Sequence, residues 1–96
     1  MDAMAGAVRH YHDKTGLECD VVLLDWAGNY ALVEIKLGGD NLIDEGVAAL
    51  RKLNDLIVAR KMMPPAFKMV LTATGEFAYR RSEDGIIVCP ISALKD

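Results

Sequence analysis

The chain has 96 residues, 52% of them hydrophobic, and a formal net charge of −3 at pH 7. That length makes one small domain, the apolar share excludes a disordered chain, and the lack of a basic block weighs against tight nucleic-acid binding by this domain alone. So apolar a small body must leave apolar atoms exposed, which points to self-association, with a homodimer as the simplest form.

Val8 to His12 reads as a first strand, with Arg9 and Tyr11 on one face and Val8, His10 and His12 on the other. Asp13-Lys14-Thr15-Gly16 has the composition of a type I turn. Leu17 to Leu24 forms a second strand. Alternation there sets Leu17, Cys19, Val21 and Leu23 on one face and Glu18, Asp20, Val22 and Leu24 on the other. The chain then turns through a three-residue loop, Trp26 to Gly28, with Gly28 in the left-handed region. Trp26 is expected to be a partly buried loop anchor.

The third strand, Tyr30 to Leu37, is apolar except for Glu34 and Lys36, which share a face with Tyr30 and Leu32. After Gly38-Gly39, Asp40 or Asn41 caps a helix that runs to about Lys61. Val47, Leu50, Leu53, Ile57 and Val58 recur at helical spacing, with acids in the first turns and bases at the end. Pro64-Pro65 prevents continuation, and Met62-Met63 is expected to fill core at the helix end. A fourth strand spans Ala66 to Thr72, a fifth Phe77 to Arg81 and a sixth Ile86 to Cys89, the last two joined by a turn ending in Asp84-Gly85. Pro90 to Leu94 closes with one helical turn. The order β-β-β-α-β-β-β predicts an α/β (α+β) fold: a mixed β-sheet with one main helix packed on it, the helix serving as a parallel crossover.

Cys19 and Cys89 lie far apart with no C-x-x-C, so free buried thiols are expected, and a cytoplasmic setting with them. The N-terminus has neither the basic region nor the apolar core of a signal peptide. No apolar run approaches the length of a membrane span, so no membrane partner is expected.

A three-residue loop fixes the hairpin register, placing Asp25 opposite Asn29, Asp20 opposite Glu34 and Glu18 opposite Lys36. A two-residue loop would reverse the parity of Asp20. In the first register the Asp20 and Glu34 β-carbons stand roughly 5 Å apart, and Lys36 lies one step along on the same face. Arg9 joins them if the first hairpin closes tightly enough to set it opposite Asp20. Two carboxylates that close repel unless a cation or a proton lies between them. Carboxylates plus a backbone carbonyl suit Mg²⁺, a hard cation that keeps several waters and polarises a phosphodiester. Lys36 would position the attacking water or offset charge on the phosphate.

These residues carry a resemblance. Asp20, then Glu34-Ile35-Lys36 across a hairpin, followed by a helix and a further strand, resembles the PD-(D/E)XK nuclease superfamily. Leu17 to Leu23, Val33 to Gly38, the following amphipathic helix, and Val88-Cys89-Pro90-Ile91-Ser92-Ala93-Leu94 together resemble the uncharacterised C-terminal domain of a large family of prokaryotic AAA+-type ATPases. The resemblance implies a restriction-endonuclease-like core and a nuclease-like activity on nucleic acid. It makes Asp20, Glu34 and the Ile35 carbonyl metal ligands, and Asp20, Glu34 and Lys36 the catalytic set. It also implies that residues 1–96 are a single C-terminal module of a longer ATPase, which would be the domain's partner. Cys19 stands where that motif has proline.

A different reading gives the same residues no chemistry. Glu34 and Lys36 then form a solvated, salt-bridged sheet patch with Glu18 facing Lys36. His10 and His12 become surface or packing residues rather than metal ligands, and Arg80-Arg81 a solvated hairpin rather than a phosphate contact. On that reading the domain is a noncatalytic assembly or partner-binding module of the ATPase.

Overall fold

The computed structural model of the chain describes residues 6–12, 18–38, 40–73 and 75–94. It contains strands β1 (Gly6–His12), β2 (Glu18–Asp25) and β3 (Tyr30–Lys36), helix α1 (Asp40–Ala59), strands β4 (Phe67–Thr72), β5 (Tyr79–Arg80) and β6 (Ile87–Pro90), and a closing 3₁₀ turn (Ile91–Leu94). The six strands form one mixed sheet in the order β1-β2-β3-β4-β6-β5. The first three run antiparallel in sequence, and α1 carries the chain across so that β4 lies parallel to β3. β6 adds in parallel beside β4, and β5 closes the edge antiparallel to β6. This is the expected mixed α+β arrangement, with one helix packed on the sheet.

The α1 periodicity explains the packing. Val47, Leu50, Leu53 and Ile57 are buried, and they meet Leu32, Val70 and Ile86 from the sheet. Burying each such side chain contributes about 1.5–3 kcal/mol, so this stripe holds α1 against the sheet. Gly46 lets the two layers come close. A β-carbon there would meet both Val70 methyl groups at 3.1 Å and Lys36 Cγ at 3.2 Å.

The β2–β3 turn follows the three-residue loop. The Asp25 amide donates to the Asn29 carbonyl at 3.0 Å, and Gly28 has φ +90°. Asp25 Oδ1 accepts from the Ala27 and Asn29 amides, both at 2.9 Å. The ladder beyond keeps that register, pairing Leu24 with Tyr30 and Val21 with Val33.

Several expectations are corrected. Strict alternation fails in β2: Arg9 pairs with Val22 but Tyr11 pairs with Cys19, so His10 alone opposes Asp20 and Val21. The extra residue is a β-bulge. It turns Cys19 into the helix-side core beside Leu32 and Leu50, where alternation had put it on the opposite face from Val22. It also leaves Arg9 opposite Val22 rather than Asp20. The fifth strand shrinks to Tyr79–Arg80, and Phe77 is 78% exposed.

The helix ends at Ala59, with no basic residue in its last turn. The Met62 amide donates to the Ile57 carbonyl and the Lys61 amide to the Val58 carbonyl, both at 3.0 Å, with Lys61 at φ 55°. That is a Schellman stop with lysine where glycine is usual. It swings Met62 and Met63 outward, each 52% exposed, and leaves Val58 66% exposed. Trp26 is 85% exposed rather than partly buried. The turn expected at Asp13 to Gly16, and the side chains of His10 and His12, lie outside the described part.

Candidate functional site

The bulge and the end of β3 meet at Asp20. The Asp20 amide donates to Glu34 Oε2 at 3.0 Å, and the Ile35 amide donates to Asp20 Oδ2 at 2.9 Å. Beyond Val21 and Val33, side chains therefore take over from the backbone ladder. Each acid holds the other strand's backbone, which brings the two carboxyl groups to one place. In a strand, a residue's amide and carbonyl point to the same neighbour, so the Ile35 carbonyl is directed toward the same gap. Bulges re-aim side chains in this way, often beside active sites.

Glu34 is 5% exposed, the one ionisable carboxyl buried to that degree among the described residues. Burial pushes its carboxyl pKa up. The Asp20 amide opposes the rise, the Asp20 charge adds to it, and the Cys19 thiol and the Lys36 ammonium oppose it again. Lys36 acts through space, since the ion pairs among the described residues are those of Arg81 with Glu83 and Asp84. Arg81 is thereby committed to its own turn rather than to a phosphate. The expected Glu18–Lys36 partnership lies outside the described part, since the Glu18 side chain does.

Two residues here were not singled out for the site from the sequence. The Cys19 sulfur lies 3.3 Å from the Val21 carbonyl oxygen and 3.4 Å from the Val33 carbonyl oxygen, so its single S–H is shared between them. Burial pushes its pKa up to about 11, so it packs as a neutral thiol. Gly46 is the other, lying against the Lys36 stem. A glycine inside an otherwise apolar helical stripe was the available signal.

The donor set fits one cation. Two carboxylates and a carbonyl are hard oxygen ligands. A positive ion between the carboxylates would relieve both their repulsion and the cost of burying Glu34. Among the described residues no group of three or more acidic, histidine or cysteine side chains could hold a metal. A cation here would fill its shell with water, as Mg²⁺ does readily.

The site sits at the carboxyl end of the parallel strands. β3 ends at Lys36, its neighbour β4 ends at Thr72, and α1 begins four residues after Lys36. Open α/β sheets bind ligands at that end, and the start of a helix favours an anion there. Among the described residues no helix is long and apolar enough to cross a membrane.

No curated protein matches this chain, and no solved structure does. A family model described as a domain of unknown function (DUF4143) matches residues 2–94. With the match running over nearly all of its length, the chain belongs to that family of uncharacterised domains.

Proposed function

We propose that this domain is a PD-(D/E)XK nuclease-like module and a Mg²⁺-dependent phosphodiester hydrolase acting on nucleic acid. The observation that carries the reading is the pair of crossed bonds, Asp20 amide to Glu34 Oε2 and Ile35 amide to Asp20 Oδ2, which draws the two carboxyl groups together at the carboxyl end of β3, with the Lys36 charge acting on Glu34. Asp20, Glu34 and the Ile35 carbonyl would hold the cation. When bound, Mg²⁺ supplies Lewis acidity toward the phosphodiester and lowers the pKa of a coordinated water. Lys36 orients that water or meets the charge that grows on the phosphate. The Asp20 amide keeps the Glu34 carboxylate in place. The domain would work as the C-terminal module of a longer AAA+-type ATPase, which brings it to nucleic acid that its own net charge of −3 does not attract.

The test is incubation with Mg²⁺ or Mn²⁺ and varied DNA and RNA substrates, beside a Glu34→Ala control. Metal-dependent cleavage that the control lacks supports the reading. Equal behaviour of the two proteins removes it.

The exposed apolar side chains favour a second reading, a noncatalytic assembly or partner-binding module of the same ATPase that self-associates. Sedimentation together with calorimetric titration of Mg²⁺ separates the two. A strict monomer that binds the ion at the acid pair counts against this one.

A further inference from the structure

The sheet ends in two unlike edges. On one side β5 holds the edge with Tyr79 and Arg80 alone. On the other, β1 presents the whole of Gly6–His12, and among the described residues no strand pairs with its outer side. Edges of that length are usually guarded by lysine, proline or a bulge of their own. β1 has neither Lys nor Pro, and Arg9 is its one full charge. The extra residue of the bulge belongs to β2.

Backbone directions show which groups of β1 are open. The Asp25 amide bonds to Asn29, so Asp25 faces β3. Alternation then turns Leu24 and Val22 toward β1, where they pair with Ala7 and Arg9. The amides and carbonyls of Ala7 and Arg9 are therefore used inside the sheet, and those of Gly6, Val8 and His10 point out of it. A further strand completes such a row.

A second copy of the chain supplies that strand. Two β1 strands related by a two-fold axis run antiparallel, and each meets the other's open groups with its own. An axis at Arg9 would set like charges opposite each other, which is destabilising. An axis at Val8 or at His10 avoids this and still bonds both of those residues. Pairing β1 with the short β5 of another copy would secure little and would leave an edge free for an open chain. Self-pairing closes both long edges at once. We propose that the domain is a homodimer joined β1 to β1 into one continuous sheet. The interface holds whether or not the acid pair is catalytic.

Sedimentation of the whole chain over a range of concentrations, with residue-resolved amide exchange on the same samples, tests the interface. The expected species has the mass of two chains. Its Val8 and His10 amides exchange as slowly as those of Ala7 and Arg9, and they lose that protection on dilution to the monomer while Ala7 and Arg9 keep theirs. Val8→Pro removes an outward N–H and no bond to β2, a change that edge strands accept. With native circular dichroism it should sediment as a monomer where the parent is a dimer. Should that variant fail to fold, the exchange pattern of the parent decides by itself. A parent that is a monomer at every concentration, a dimer whose Val8 and His10 amides exchange at the open-strand rate, or a folded Val8→Pro that dimerises as the parent does overturns the proposal.

Discussion

Gly46 and Lys36 touch across the helix–sheet interface so closely that a β-carbon on Gly46 would stand 3.2 Å from Lys36 Cγ. The same atom would meet two methyl groups of Val70, which is fully buried and stiff at χ1. Alanine at position 46 gains about 1 kcal/mol of helix propensity, while overpacking a filled core costs about 1–3 kcal/mol. Lys36 can move, but Val70 cannot move far without disturbing the core around Leu50. Gly46→Ala should therefore lower stability by about 1 kcal/mol in denaturant unfolding. It should also reduce any Mg²⁺-dependent cleavage, because the Lys36 stem is displaced. A stabilised variant would show that this interface has slack.

Much of this arrangement was legible from residue types alone. The lone Glu34 and Lys36 in an apolar strand, the stop at Pro64-Pro65 and the Asp25–Asn29 turn each express a local rule, and each appears where that rule puts it. The bulge was not legible. It depends on how β1 pairs with β2, and no residue at positions 20 or 21 announces it. Cys19 was consequently assigned the wrong face, although its burial was foreseen. Trp26, Met62 and Met63 were misjudged for another reason. Large apolar side chains favour burial, but this fold's one main helix ends at Ala59 and leaves nothing above them. Residue type gives a preference for burial; the number of layers decides whether it is met.

The left-handed Lys61 that ends α1 is a second testable feature. A non-glycine residue in that conformation carries a penalty of about 1–2 kcal/mol. Lys61 is exposed, and its φ of 55° places it at the position glycine usually fills in this motif. Lys61→Gly should raise stability by about 1 kcal/mol, reduced somewhat by the greater freedom of glycine in the unfolded chain. Thermal unfolding in low-salt buffer measures the change. A loss of stability would mean that the lysine makes interactions that outweigh its strain.

Both cysteines are buried and free. The Cys19 thiol is fully covered, and its pKa near 11 leaves almost no thiolate at neutral pH. A thiol-reactive disulfide reagent at pH 8, about a unit below the ordinary cysteine value, should therefore titrate no thiol in the native domain and both in denaturant. Mg²⁺ should not change the result. Fast reaction of one thiol in the folded protein would show that the β2 bulge opens readily.

The last prediction concerns the cost of holding Glu34. Burial raises its pKa in the folded state above the ordinary value of 4.5. Folding therefore favours the protonated form. The stabilisation is fully present below the unfolded pKa and is lost as pH rises through the folded one, so the ionised group weakens the metal-free domain at neutral pH. Glu34→Gln keeps an oxygen to accept from the Asp20 amide and removes the charge. Without metal it should melt higher than the parent at pH 7, and the gap should close as pH falls to about 4, where the parent carboxyl is protonated. Added Mg²⁺ should act the other way. At a hundredfold excess over Kd it should stabilise the parent by about 2.7 kcal/mol and leave the variant unchanged. A variant less stable than the parent at pH 7 without metal would mean that Lys36 and Cys19 already compensate the buried charge. The acid pair would then be a structural patch that needs no cation.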